Sequence, residues 1–569
     1  MFLDTPPELL RPIHSLLKAP FDFDAHGSLT GPLLEHLRDR GDFDALLELA
    51  QLYDRQATLV RGSLAMLRPR LESEFALNVP VEADLSGVCR VRFSSAEPEM
   101  LGIRAGQYLR HVTVQCQLER LYDQLGLERD GDGDVLSLPD VRAAVQLMML
   151  GEAFALCVAG VGEVKRGPRS FRIVPAGQGV RDLLRATWFA RIADQGSHTA
   201  TIVLANRLSK AGASTVRDVS ELTERILDQD LSISWRLLGE QGRSLNAVQC
   251  AYDAAALIAL LTVLALREEP LKMNGPEMAR RGLDFGEVSA LLRRQANTLV
   301  TDRFVVRRHG ELFLRMEASS KGLRQYLGAL VAEFGEQDQF RKHAGSWFFE
   351  KVRIRERIEQ FPDYQDRYRI LNGFTRDEVV GRPPNKCDVE FIIWDTTQSH
   401  YYFVQAKHGL LGEKAFFDAM VKAVQKDIGK GLLQLREAKR LLVDGLLEAT
   451  LQARGLNGVN PSNSSFVMLH NIAQFDYQYT SDGIALYDWS GFRNLLKDGE
   501  STLAGPHSEP VTFRLPSPLV VDQPIRVIQR LLNEHPGYRS IAVDPWSNER
   551  ANTTYELLGE EIRVEAFGI

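Results

Sequence analysis

Lys386-Cys-Asp-Val-Glu-Phe-Ile-Ile-Trp394, the polar turn Asp395-Thr-Thr-Gln-Ser-His400, and Tyr401-Tyr-Phe-Val-Gln-Ala-Lys407 decide how this chain is read. Both apolar runs are rich in β-branched and aromatic residues and are bounded by turn formers, which predicts two paired strands. Side chains alternate along a strand, so Asp388 and Glu390 share a face. An acid on the first strand is expected to face the amide of Gln405 and the ammonium of Lys407 on the second. Burying such a polar cluster in an apolar hairpin is costly, which marks it as a candidate site.

The flanks extend the pattern. Upstream, Ser346-Trp-Phe-Phe-Glu-Lys-Val-Arg-Ile-Arg-Glu-Arg-Ile358 predicts a helix with Ser346 as its N-cap. Trp347, Ile354, Ile358 and Phe361 recur at helical spacing and are expected to be buried. Glu350, one turn before Ile354, falls on the edge of that face. Downstream, Glu413 to Val443 reads as a long helix that Gly429 and Gly431 kink or split. Gln434 lies on it. Phe466-Val-Met-Leu469 and Ile484-Ala-Leu-Tyr487 read as further strands, and Trp489 to Leu496 as a closing helix. His408 reads as structural.

Helix, strand, Asp strand, Gln-x-Lys strand, helix, strand: this order over about residues 335–500 resembles the PD-(D/E)xK, restriction-endonuclease-like nuclease superfamily. More narrowly it resembles the Gln-x-Lys branch typified by Mrr-type restriction enzymes. The resemblance implies a magnesium- or manganese-dependent hydrolase of phosphodiester bonds, a DNA endonuclease in bacterial restriction or defence. A hard divalent cation with oxygen ligands would stabilise the phosphate and activate water. Asp388 would be its principal ligand, joined by the Gln405 amide oxygen and the Ala406 backbone carbonyl. Lys407 would position or deprotonate the attacking water, or stabilise developing charge. One negative charge is thin for such a site, so a second acid is expected. Glu350 is the choice, with Glu390 and Gln434 as accessory candidates. Pairing into a homodimer or activation by a protein partner is also an expectation from resemblance. Two other readings stay open: a nuclease fold that binds nucleic acid or protein without cutting, and a helical scaffold in which the cluster is coincidental.

Composition neither advertises nor excludes this chemistry. The 569 residues carry a net charge of −7, with 44% hydrophobic and 25% charged residues, as in ordinary globular proteins. Basic residues nevertheless crowd the two flanking helices. Arg353, Arg357, Lys414 and Lys430 are the candidate phosphate contacts, against the alternative of a solvated helix face. Cys89, Cys116, Cys157, Cys250 and Cys387 are scattered, so neither a zinc site nor a disulfide framework is expected. The N-terminus shows no signal-like core, and the apolar run Ala254 to Leu266 is short for a bilayer span. A cytoplasmic protein without membrane partners is expected.

The fold class is therefore α/β and multidomain: a mixed-sheet core behind a large, mostly helical N-terminal region. Residues 1–240 are expected to serve recognition or regulation, with helices near 29–75, 99–127, 139–158, 179–194 and 216–229. A strand pair is expected at Cys89–Phe93 and Phe171–Val174. Asp130-Gly-Asp-Gly-Asp134 fails as a calcium loop, because Val135 and Val141 occupy the positions that need Gly and Glu. Residues 241–334 hold a helix and a basic hairpin around His309-Gly310, the outline of a winged-helix module that would present Arg293, Arg294, Arg307 and Arg308. Residues 501–569 read as an α/β extension.

Overall fold

A computed structural model describes residues 2–18, 30–74, 117, 121, 139–296, 303–314, 316–360, 362–381, 383–409, 417–472, 475–503, 511–536, 538 and 553–565. The expected strand at Cys89–Phe93, the helix at 99–127 and the Asp130–Asp134 turn lie outside this set, apart from isolated positions.

The quoted hairpin forms the middle of a six-stranded mixed sheet. Its strands are β1 (Tyr368–Thr375), β2 (Asp388–Asp395), β3 (His400–Lys407), β4 (Ser464–His470), β5 (Gln478–Tyr479) and β6 (Ile484–Asp488), in the order β5-β6-β4-β3-β2-β1. β1, β2 and β3 run as an antiparallel meander, while β4 lies parallel to β3 and β6 parallel to β4. β3 is central and buried from Tyr401 to Ala406. That explains why its sequence is a continuous apolar run rather than an alternation.

Each face of the sheet closes a separate core. On one face Phe403, Phe466 and Met468 pack with α1 (Phe417–Gln425) and α2 (Asp427–Val443). The same core takes in N-terminal residues from Phe2 to Ile173. On the other face Tyr402, Val404, Val467 and Tyr487 pack with Phe349, Ile354, Ile358 and the helix Pro524–Glu534. The expected split of the long helix occurs, but at Lys426 rather than at the glycines. Gly429 lies in the first turn after the break, where an added Cβ would meet the Val424 carbonyl at 2.0 Å.

A second body has its own core, from Leu204 to Phe348. There the apolar helix Asn246–Ala265 is followed by the short strand Leu271–Lys272, helices Gly275–Arg281 and Phe285–Ala296, and the hairpin Val305–Arg308/Glu311–Leu314. The three strands pair in the order first, third, second. The cores thus divide near residue 200 and not at 240. The expected 501–569 extension is not separate either. Its last hairpin, Thr553–Leu557/Glu560–Val564, pairs in parallel with Ser170–Pro175 to complete a four-stranded sheet, pinned by Arg166–Glu560 (2.9 Å) and Arg172–Glu565 (2.7 Å). Asp140–Val158 and Asn246–Ala265 are long and apolar enough to cross a membrane, the second extending past the run seen in sequence. In this fold, however, 83% and 78% of their most apolar windows are buried in protein.

The turn end of the β2–β3 hairpin is fixed by a buried ion pair. Asp395, 0% exposed, accepts from Arg367 at 2.6 and 2.9 Å and from the Thr397 and Gln398 amides at 3.0 and 3.1 Å. Arg367 also reaches Asp498 (2.7 Å) and the Leu519 carbonyl (3.1 Å). Removing one partner of such a pair leaves an uncompensated buried charge. Arg367→Met should therefore cost roughly 3–5 kcal/mol in denaturant unfolding, and adding Asp395→Asn should recover part of that loss.

Candidate active site

The acid-bearing helix is not an α-helix. Gln337–Phe340 is α-helical, and Arg341–Glu356 then continues with π-type hydrogen bonds, i to i+5. Its buried positions, Ala344 with Gly345, Phe348 with Phe349, and Arg353 with Ile354, recur in steps of four and five. This corrects two expectations. Trp347 does not join the buried face but is exposed, and Ser346 is an interior position rather than an N-cap. Phe361 lies outside the described residues. π-helical stretches are rare and concentrate at functional sites. Here the stretch carries Glu350 to the end of the sheet, close enough to Asp388 and Lys407 to interact with both.

The last paired rung between β2 and β3 is Phe391–Val404. Continued by one and three residues, the same register sets Glu390 across from Gln405 and Asp388 across from Lys407. The four polar side chains sit just past the bonded ladder. Gly373 on β1 allows this, because an added Cβ would lie 1.7 Å from the Val389 carbonyl oxygen. Gly431 on α2 makes room for the lysine, since a Cβ there would lie 3.2 Å from Lys407 Cε and 2.5 Å from Met468 Cε.

Gln405 and Gln434 are both buried and link the cluster. Amide orientation is chosen by the partners. Pointed one way, Gln405 Nε2 donates to Gln434 Oε1 (3.0 Å), and Gln434 Nε2 donates to Asp388 Oδ2 (3.2 Å). That turns the Gln405 oxygen onto a carboxylate and its nitrogen onto an ammonium. Pointed the other way, Gln405 Nε2 donates to Glu390 Oε1 (3.0 Å), and its oxygen accepts from Lys407 Nζ (2.9 Å). The second orientation is electrostatically preferred, yet it leaves the Gln405 oxygen 3.0 Å from Gln434 Oε1. Turning Gln434 as well only moves the conflict to Asp388, at 3.2 Å. No choice of amide orientation satisfies the whole chain of groups. A proton or a cation between the acceptors does.

Charge argues the same way. Three carboxylates, Glu350, Asp388 and Glu390, share one ammonium. Burial, reinforced by Glu350 and Asp388 and opposed by Lys407, pushes the Glu390 carboxyl up to about 7. Burial also raises Glu350, an effect that Lys407 opposes and Asp388 reinforces. Oxygen donors with surplus negative charge fit a hard divalent cation. Among the described residues, however, no three His, Cys, Asp or Glu side chains form a ready-made metal cage. A cation would need the amide and backbone oxygens as well.

The remaining candidates separate. Gln434 joins the cluster directly. Lys430 is exposed on α2, Lys414 lies outside the described residues, and Arg357 is half-buried beside Tyr364. Arg353, expected to face nucleic acid, is instead buried and paired with the Asp228 carboxylate. His408 is structural as expected, its Nε2 bonded to the Leu231 carbonyl at 3.1 Å. Sequence reading missed Asn471, whose side chain exchanges two bonds with the Gly409 backbone (2.7 and 3.0 Å) and so fixes the chain just past Lys407. A polar residue directly after an apolar strand was its only signal. The chain matches no family model, no curated protein and no solved structure.

The raised Glu390 pKa carries a stability sign. Between the unfolded value of 4.5 and about 7 the folded chain holds a proton that the unfolded chain has released. Wild-type stability therefore falls as pH rises through that window. In chelator, Glu390→Gln should gain stability relative to wild type across this range and level off above it, as read by denaturant midpoints. A constant difference from pH 4.5 to 8 would contradict the assignment.

Proposed function

We propose that this chain is a metal-dependent phosphodiesterase acting on DNA, with a restriction-endonuclease-like core built around β1–β4, α1 and α2. The observation that carries this reading is the meeting of Asp388, Gln405, Lys407 and Glu350, from two strands and a helix, at one end of the sheet. Asp388, the Gln405 amide oxygen and the Ala406 carbonyl would hold magnesium or manganese, with Glu350 as the second acid. The cation would supply charge stabilisation at phosphate and a more acidic bound water. Gln434 would orient Asp388 by its amide, and Gln405 would hold the Lys407 ammonium only until the cation takes its oxygen. Lys407 would place the attacking water or neutralise charge gathering on the phosphate oxygens. The defence role follows from the resemblance, and a cytoplasmic location is consistent with the two buried apolar helices.

The second body supports DNA as the polymer. Gly275–Arg281 and Phe285–Ala296 are joined by three residues, Gly282 to Asp284, the connection of a helix-turn-helix. The hairpin that follows would act as a wing. From Leu271 to Met316 there are nine Lys or Arg against five Asp or Glu, a positive segment in a negative chain. Arg293 and Arg307 are exposed on it.

With magnesium or manganese, wild-type protein should cut DNA. Lys407→Ala and Asp388→Ala should each lower the rate by at least ~100-fold while remaining folded at the assay temperature, and chelator should abolish cutting. Undiminished cleavage by both variants would overturn the reading. Folded wild type that binds DNA but never cuts would favour the non-cleaving module. Charge reversal at Arg293 and Arg307 together should weaken duplex binding and flatten its salt dependence by about two phosphate contacts, without changing metal affinity.

A further inference from the structure

Leu227-Asp-Gln-Asp-Leu231 forms a short π-type turn that ends on Ser232 in the left-handed region (φ 54°). Three of its residues lie against the edge of the candidate site. The Asp228 carboxylate pairs with Arg353 Nη1, and the Asp228 carbonyl accepts from Arg353 Nη2 at 3.4 Å. The Asp230 carbonyl accepts from Arg324 Nε. The Leu231 carbonyl accepts from His408 Nε2. Arg353 stands three residues after Glu350 on the same helix, and His408 directly follows Lys407.

These arginines are under-supplied with acceptors. Both are buried, yet Arg353 Nε and Arg324 Nη1 have no hydrogen-bond partner. Unmatched buried donors carry a desolvation cost. Among the described residues Asp228 is the only carboxylate paired with either guanidinium. Arg493, on the helix Trp489–Leu495, crowds the same place: burial and then Arg353 hold its guanidinium below its ordinary value. Arg353 and Arg493 thus lie together beside the site, with Asp228 the carboxylate that acts on both. That carboxylate is replaceable, because the Asp228 side chain is 47% exposed and sits at the solvent edge of the cluster.

We propose that Arg353 forms a subsite for a backbone phosphate flanking the scissile one, that the Asp228 carboxylate occupies it in the resting protein as a phosphate mimic, and that Arg324 holds the same turn by the Asp230 carbonyl. The choice of a phosphodiester as ligand rests on the nuclease reading. An oxyanion with more acceptor positions than a carboxylate can satisfy the idle Arg353 donor as well as the paired one. Exchange of Asp228 for substrate would also release the turn from Arg353, so the contact is autoinhibitory. It opposes binding until a polyanion outcompetes it.

The test is binding of the full-length protein to a short fluorescein-labelled DNA duplex in chelator, followed by anisotropy across a salt series. Asp228→Asn should bind about tenfold tighter, with the slope of log K against log salt steeper by about one phosphate contact. In an Arg353→Gln background the same substitution should give no gain. Arg353→Lys, which keeps the charge without the planar fork, should fall between wild type and Arg353→Gln, and it replaces Arg353→Gln should that variant fail to fold. Unchanged or weaker binding by folded Asp228→Asn overturns the proposal, as does an equal gain when Arg353 is absent. The readout needs neither metal nor cleavage. A protein that gains affinity but never cuts keeps the subsite and loses the nuclease reading, and a protein that cuts without the gain does the reverse.

Discussion

Three carboxylates and one ammonium share a half-buried corner at the end of an apolar strand, and much of the surrounding architecture serves to hold them there. Burial, reinforced by the neighbouring carboxylates, opposes full ionisation of the corner and pushes the Glu390 carboxyl up to about 7. The corner persists because a buried ion pair anchors the far end of the hairpin, because Gly373 and Gly431 let backbone and lysine pass where a methyl could not, and because both faces of β3 are covered by separate cores. The hydrogen-bond chain Lys407–Gln405–Gln434–Asp388 cannot close on itself in any amide orientation. A proton or a cation between those acceptors resolves the conflict.

The helix that supplies Glu350 also joins the two bodies. Phe340, Ala344 and Phe348 belong to the core of the second body, whereas Phe349, Ile354 and Ile358 belong to the core behind the sheet. π-type winding places these two apolar sets on one helix with Glu350 between them. The Asp228–Arg353 contact crosses the same junction.

The sequence made the strand hairpin, the order of the core elements and the acid–amide–lysine grouping readable, because period-two runs and turn residues report local geometry directly. The residues Val305–Arg308 and Glu311–Leu314 paired across His309-Gly310 for the same reason. The features that escaped depend on contacts between distant segments. Nothing near Glu350 announces π winding, and a 3.6-residue template wrongly buries Trp347. Arg353 reads as a surface cation until Asp228, 125 residues away, is placed beside it. Glu560–Val564 gives no sign that its partner strand is Ser170–Pro175. Gln434 was placed on the right helix, but its bridging of Gln405 and Asp388 became visible only with the register of α2 against β3.

The central claim is that this corner is a cation site. Anomalous diffraction from crystals grown with manganese tests it without relying on any substrate. The expected result is a manganese peak within about 2.0–2.3 Å of an Asp388 oxygen and the Gln405 amide oxygen, with Gln405 turned away from the Lys407 ammonium. A Lys407 ammonium still bonded to Gln405 in an unaltered corner, with no peak there at saturating manganese, would contradict it.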